Sequence, residues 1–393
     1  MYSVIRFVLS AALLTGMSAQ SLTGQTSAEQ DRLIRLNQIQ VVGSHNSYNK
    51  GFAPSEAKFL QHRNPGAFHD LEYSHASLTN QLDGGVRQLE IDIFADPEGG
   101  RFAHPQIVAL TRKAGLPADP DFDPNHEMEK PGFKVIHVQD LNQRSSCMTF
   151  IDCMTEVHKW SEAHPLHIPL FLLIETKTDN VKEIPNSAIA LPFTSKTFDA
   201  LDQEIRSVFK DSEMILPDDV RQSFPTLEAA VLAGRWPTLA ESRGKVIFLM
   251  DQKRAGPAYL AGHPILHGRI LFTNASPGSP DAAFVEENSG TSAEINALVK
   301  RGYLVRARAD EGTVAARTND TRRRDELLKS GEQMISTDYP LSEPGKWSGS
   351  YSVGFPDGLP VRCNPVTVPV ACFDDLLEPG ASSGGKPSPS HTP

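Results

Sequence analysis

The chain lacks an excess of positive charge. Its 38 Lys and Arg stand against 48 Asp and Glu over 393 residues, a formal net charge of −10. A nucleic-acid binder needs a basic footprint to neutralise phosphates, so that class is excluded. An anionic ligand is not steered in by overall charge either, and any affinity for phosphate has to be built locally. Cysteine is scarce: only four occur. Neither Cys147 and Cys153 nor Cys363 and Cys372 shows the spacing of about two to four residues that zinc sites favour. Each pair is close in sequence, which predicts two short-loop disulfides formed in an oxidising compartment. Beyond the amino terminus no apolar run is long enough to cross a membrane, and no internal repeat is visible.

What is present is ordinary for a globular protein: 39% hydrophobic and 22% charged residues, in a chain long enough for one large core. Arg6, the short apolar run Phe7 to Met17 and the small residues Ser18, Ala19 and Ser21 predict an export signal ending near Ser21, hence a secreted or periplasmic protein. Pro379 to Pro393 is a Ser, Gly and Pro tail with too little apolar material to fold, and is expected to be disordered.

Between these ends, β-rich runs alternate with helical ones. Strands are predicted at Ile39–Gly43, Val86–Asp92, Phe133–His137 and Leu170–Glu175. Four more follow at Lys245–Met250, Arg269–Thr273, Tyr303–Arg308 and Gln333–Thr337. Helical spacing marks Phe150–His164, Ser195–Lys210 and Ser292–Arg301. Eight strands alternating with helices predict an α/β fold, a (β/α)8 TIM-like barrel over about residues 28–378. Ala95 to Gly132, rich in Pro, Asp, Glu and Gly, reads as a long insertion after the second strand.

In such a barrel the reactive groups sit where strands end. The first strand runs into Gly43-Ser44-His45-Asn46-Ser47-Tyr48. In Leu89-Glu90-Ile91-Asp92-Ile93, alternation puts both carboxylates on one face and the apolar residues on the other. Two like charges buried together are costly unless something positive lies between them. Glu175 ends the fourth strand, and Asn46 adds an amide oxygen. Three carboxylates and an amide suit a hard cation, calcium first and magnesium second, because calcium tolerates irregular shells of about six to eight oxygens. His45 and His137, each at a predicted strand end, are suited to moving protons in phosphodiester cleavage.

These motifs, Gly-Ser-His-Asn-Ser-Tyr, then Gly85-Val86-Arg87-Gln88-Leu89-Glu90-Ile91-Asp92, then Val135-Ile136-His137 and Leu173-Ile174-Glu175, resemble the X-type catalytic half of phosphatidylinositol-specific phospholipase C. The likeness is strongest to its calcium-dependent, single-domain bacterial and fungal branch. The resemblance implies that His45 lies by the phosphate and stabilises the transition state. Asn46, Glu90, Asp92 and Glu175 would bind calcium, Glu90 would double as general base, and His137 would be the general acid. It implies intramolecular attack by the inositol 2-hydroxyl, releasing diacylglycerol and inositol 1,2-cyclic phosphate, which can be hydrolysed to inositol 1-phosphate. The implied partner is a phosphatidylinositol-type lipid met transiently at a membrane surface, with no nucleic acid and no obligate protein partner.

Lys177, Lys253, Arg308 and Tyr339 are further candidates for substrate contact, and Arg306 alternates with Arg308 on the seventh strand. Each cation has a competing explanation in pairing with Asp251, Asp310 or Asp338. Asp119, Asp121, Asp123, Asn125 and Glu127, recurring at every second residue, read as a solvated acidic loop, since a second calcium loop would need the turn glycine that is missing. A glycerophosphodiester phosphodiesterase or sphingomyelinase D would share the barrel, the Glu-x-Asp pair and the two histidines. Those enzymes follow the first His with Arg and Gly, where Asn46 stands here. A catalytically inactive binding barrel would have lost an acid or a histidine, and none is missing.

Overall fold

Gln88 and Ser336 lie buried on the two strands that flank Gly43 in register, so small and polar residues fill this level of the barrel. The computed structural model describes residues 25–368 and 372–378. The predicted export signal and the tail therefore fall outside the described residues. Nine strands occur among these: β1 (Ile39–Ser44), β2 (Gln88–Asp96), β3 (Gly132–Val135), β4 (Leu170–Thr176), β5 (Val246–Met250), β6 (Phe284–Glu286), β7 (Leu304–Arg308), β8 (Met334–Thr337) and β9 (Val361–Cys363). The parallel path runs β5-β4-β2-β1-β8-β7-β6. Phe272 and Asn274 bridge to β5 and β6 respectively and bring the two ends of that path together. The result is the predicted α/β barrel, with helices such as Phe150–Ala163, Ser195–Val208 and Ser292–Arg301 outside it.

The staves differ from the expected set in three places. Phe133–His137 is not a stave: β3 pairs antiparallel with the outer half of β2, Ile93 opposite Val135 and Asp96 opposite Gly132, so it folds back over the rim. The eighth stave is β6, which the sequence reading missed because only three residues of it are regular. Arg269–Thr273, expected as a full strand, contributes bridges only, because the Arg269 side chain is buried against Asp199, Asp202 and Tyr259 and ties the segment to the helix layer.

Close approach in the interior explains one glycine. A Cβ on Gly43 would lie 2.0 Å from the Gln88 side-chain oxygen, so only glycine lets β1 and β2 pair there. The start of β1, where β2 has not yet begun, is covered by β9 in antiparallel pairing. Both predicted disulfides are formed: Cys363–Cys372 secures β9, and Cys147–Cys153 pins the start of the helix behind β3. The inserted segment has structure of its own, with a helix at Gln106–Lys113 and a small core in which Phe94, Phe102, Phe122 and Met128 pack together. Its acids are caps: Asp119 accepts from the amides of Ser55 and Glu56, and Asp123 from those of Glu127 and Met128. That is why this run is neither freely solvated nor a cation loop.

At the opposite end from the strand termini, just before β8, Glu332 is fully buried. Its carboxylate oxygens have no hydrogen-bond partner beyond the residue's own backbone. Burial therefore pushes its pKa well above the ordinary value. A carboxyl raised in the folded state contributes fully below its unfolded pKa, and stability is lost as pH rises through the folded value. Glu332→Gln is accordingly expected to raise Tm by about 2 °C or more near pH 8, with the gain vanishing near about pH 4. Thermal melts of both proteins at the two pH values check this, and an equal gain at both would mean the acid is not buried as a neutral group.

Candidate active site

The turn after β1 sets the site. Asn46 takes a left-handed backbone (φ 47°), which Asn tolerates better than most residues. The turn is pinned over β2: the Ser47 amide donates to the Glu90 carbonyl at 3.0 Å, and the Glu90 amide donates to Ser47 Oγ at 2.8 Å. The His45 amide donates to Thr337 of β8. Three strands thus fix His45 and Asn46 at the barrel mouth.

His45 Nδ1 lies 2.7 Å from Asp338 Oδ1. Arg308 donates to its Nε2 at 2.9 Å and to the other Asp338 oxygen at 3.1 Å. Burial, reinforced by Arg308 and Arg306, holds the His45 pKa well below its usual value. The imidazole is therefore neutral, with its proton on Nδ1 and a lone pair on Nε2. Asp338 is backed by Asp310, whose carboxyl accepts from the Asp338 amide at 2.9 Å and is pushed up to about 6 by burial and by Asp338. His75 braces the backbone, its Nε2 2.9 Å from the His45 carbonyl and its Nδ1 2.6 Å from Glu343.

Glu90, Asp92 and Glu175 place one carboxylate oxygen each within 4.8 Å of one another. Asp92 and Glu175 are register partners across the β2–β4 pair, while Leu89, Ile91 and Ile93 join the core on the other face. Burial and the neighbouring Glu175 raise the Asp92 pKa well above normal. Burial also acts on Glu175, but Lys177 outweighs it and holds that carboxyl low. Lys177 Nζ sits 3.1 Å from Asp92 and 3.0 Å from Glu175, so in this state its ammonium neutralises the acids and is not turned to the open mouth. Glu90 contacts Arg306, which is itself buried and also holds Glu286 and Asn288 at 2.7 Å. Burial, with Glu175 and Glu286, pushes Glu90 up to about 7 against the pull of Arg306 and Arg308.

The Asn46 amide joins the acids to the second histidine. One end lies 3.0 and 3.3 Å from the two Asp92 oxygens, the other 3.1 Å from His137 Nε2 and 2.7 Å from the Tyr73 hydroxyl. With the NH2 toward Asp92 these contacts are satisfied, provided the single proton of a neutral His137 sits on Nε2. With the oxygen toward Asp92, acceptor faces acceptor, which is favourable only around a cation. The all-oxygen donor set fits a hard divalent ion, and Asn46, Glu90, Asp92 and Glu175 are the residues able to hold it.

His137 reaches this place from β3 folding back over the rim, not from the end of a stave. Its ring lies 6.5 Å from that of His45, and its Nδ1 is 3.1 Å from Asn142 Oδ1. Burial, then Lys177, holds its pKa down to about 4. Asp251, just past β5, is pushed up to about 10 by burial and by Glu286, Glu90 and Glu175. Tyr339 is buried beside Asp338, its ring against Trp347 and Tyr351 and its hydroxyl without a partner. Lys253 is exposed on the short turn 253–255 and forms no ion pair among the described residues. His104 is also exposed.

Sequence reasoning passed over Tyr73, His75 and Asn142. All three lie in loops without periodicity, and no spacing marks them. Asp338 and Asp310 were legible only as partners for nearby arginines. A cavity of about 360 Å³, lined by Arg35, Arg235, Glu241 and Lys245, lies at the opposite end of the barrel and takes no part in this arrangement.

Among solved structures, the calcium-dependent phosphoinositol-specific phospholipase C of a Gram-negative Pseudomonas species, in its apo form, is 15% identical with a TM-score of 0.51, covering 85% of this chain and 96% of that one. A Ca2+-dependent phosphatidylinositol-specific phospholipase C from Streptomyces antibioticus is 18% identical with a TM-score of 0.49, covering 78% and 95%. At such identity the Pseudomonas likeness shows a shared fold. No curated protein sequence matches this chain. The family model described as phosphoinositide phospholipase C, Ca2+-dependent, matches residues 34–365. That match spans most of the sequence, so the chain belongs to the Ca2+-dependent phosphoinositide phospholipase C family of phosphodiesterases.

Proposed function

We propose that this protein cleaves phosphatidylinositol to diacylglycerol and inositol 1,2-cyclic phosphate, with His45 and His137 as the proton-transfer pair. The observation that carries this is the meeting, at one end of the barrel, of the acid trio within 4.8 Å with two imidazoles 6.5 Å apart. In the reaction the inositol 2-hydroxyl gives its proton to His45 Nε2 and its oxygen bonds to phosphorus. The bond from phosphorus to the glycerol oxygen breaks, and that oxygen takes a proton from His137. An internal nucleophile is held at high effective concentration, so no protein nucleophile is required. The family resemblance gives the first proton to Glu90. Here Arg306 occupies one Glu90 oxygen, and Asp338 braces His45 as an orienting carboxylate does in other base pairs, which favours His45. Glu90, 3.6 Å from the same nitrogen, stabilises the charge that forms there.

Calcium held by Asn46, Glu90, Asp92 and Glu175 would supply positive charge to the phosphoryl oxygens, with magnesium the second choice. Arg308, now against His45 Nε2, and Lys177 turn to the phosphate when substrate arrives. The phosphodiester's negative charge offsets the burial that keeps His137 uncharged in the free site, so that it can donate. Two disulfides and the predicted export signal favour a secreted or periplasmic enzyme acting transiently at a membrane surface. No helix among the described residues is long and apolar enough to cross a membrane.

The test is turnover of monomeric short-chain phosphatidylinositol, with and without a calcium chelator, followed by phosphorus NMR. Inositol cyclic phosphate formed only with calcium is expected. Free glycerophosphate or choline from the corresponding diesters would instead favour a glycerophosphodiester or sphingomyelinase D chemistry, and no turnover a binding barrel. His45→Ala and His137→Ala should each lower kcat by about a hundred-fold or more with unaltered circular dichroism; near-normal turnover in either removes it from the proton-transfer pair. Asp92→Asn should move the calcium titration of activity to about ten-fold higher concentration or beyond. A titration superimposable on the wild type would exclude Asp92 from the ligand set.

A further inference from the structure

His45 can be held at two points, its imidazole and its backbone. Asp338 holds the ring through Nδ1. The backbone is the harder case. Asn46 follows in a left-handed conformation (φ 47°) and turns the chain out of the parallel ladder, just after the His45 amide has donated to Thr337. No backbone amide among the described residues donates to the His45 carbonyl. A part-buried carbonyl without a donor is costly, so a side chain has to supply one.

That donor is His75. It lies in the irregular segment 72–77, its side chain has no solvent exposure, and its Nε2 is 2.9 Å from the His45 carbonyl oxygen. The His75 amide donates to the Asn49 carbonyl at 2.7 Å, so one residue spans both ends of the turn 45–49. Glu343 aims the ring from behind. One of its carboxylate oxygens is 2.6 Å from Nδ1, and the other accepts from the Ala76 amide at 2.8 Å. A carbonyl and a carboxylate only accept, so the ring meets both by donating from both nitrogens. Glu343 and Asp338 belong to the same stretch after β8. That stretch therefore reaches His45 twice, through Asp338 at the ring and through Glu343 and His75 at the backbone.

Resting on the phospholipase reading, we infer that His75 and Glu343 are positioning residues for the proton transfer at His45. Among the described residues neither pairs with Glu90, Asp92, Glu175 or His137. Their effect runs through the peptide between His45 and Asn46: with that carbonyl held, the His45 side chain starts from a fixed backbone and Nε2 keeps the direction that Asp338 sets. A misplacement of about 1 Å can cost a reaction about a hundred-fold. A brace of this kind therefore shows in kcat and not in substrate binding.

Two substitutions at one position separate positioning from simple fastening. The amide nitrogen of glutamine takes the place of Nε2, and that of asparagine the place of Nδ1. His75→Gln thus keeps the donor to His45 and gives up the ring's contact with Glu343, while His75→Asn does the reverse. With dihexanoyl phosphatidylinositol and saturating calcium, His75→Asn is expected to lower kcat by about twenty-fold at unchanged KM, and His75→Gln by no more than about three-fold. A residue that merely fastened segment 72–77 to the loop after β8 would give the opposite order; that order, or equal losses, overturns the inference. Glu343→Ala releases both Nδ1 and the Ala76 amide and is expected to lower kcat by about five-fold or more at unchanged KM. It decides the matter should the asparagine variant fold poorly, and an unchanged kcat overturns the inference. No turnover by the wild type overturns the phospholipase reading, and this inference with it.

Discussion

Three carboxylates crowded into a place that water barely reaches govern the architecture of the mouth. Glu90, Asp92 and Glu175 offer oxygens within 4.8 Å, and like charges at such range repel by roughly 4 kcal/mol even at an effective dielectric near 20. The strands cannot relieve this by sliding, because Asp92 and Glu175 are register partners and a one-residue slip would turn Leu89 and Ile91 out of the core. Compensation must come from side chains. Arg306 is drawn into the barrel onto Glu90 and carries Glu286 and Asn288 with it, while Lys177 folds back over the other two acids. A divalent cation belongs to the same logic, as a denser positive charge than either side chain can supply.

The acid trio was legible in the sequence for the reason that makes it strained. Glu90 and Asp92 stand in a run otherwise apolar, and alternation on a strand leaves them no face but one. The barrel was legible too, because its staves are separated by stretches of helical period. What escaped was everything decided by pairing direction or by loops. The apolar run at Phe133 reads the same whether it becomes a stave or a fold-back strand; its antiparallel partnership with β2 follows from β2 running on to Asp96 beyond the barrel. The true stave β6 is only three regular residues long, too short for a periodicity. Tyr73, His75 and Asn142 act through contacts to residues 5 to 268 positions away, and no local pattern encodes such contacts.

The fold-back strand has a consequence for the imidazole pair. His45 belongs to a turn fastened to three barrel strands, and its surroundings are rigid. His137 arrives instead on a segment that pairs along one edge with β2, behind which the Cys147–Cys153 disulfide ties the following helix. Its position relative to the acids rests on two amides, Asn142 on Nδ1 and Asn46 on Nε2. The Asn46 amide can turn only one of its ends to Asp92, so the side that meets His137 is determined by what Asp92 faces. The acid site and the second histidine are thereby coupled through one planar group.

That coupling extends to the contrast between a chain of net charge −10 and a site suited to an anion. The cations at the mouth are Arg306, Arg308 and Lys177, and each is already engaged by carboxylates. Left so, they offer little to a phosphate, since turning toward it would uncover buried acids. Were a divalent cation to be held by Asp92, Glu175 and Glu90, Lys177 would lose its reason to fold back and the arginine guanidiniums would be partly freed. Cation and anion binding would then be linked, each strengthening the other by the same factor, as linkage requires. On this argument the acidic crowd is what allows a negatively charged protein to reserve its positive charge for the moment both ligands are present.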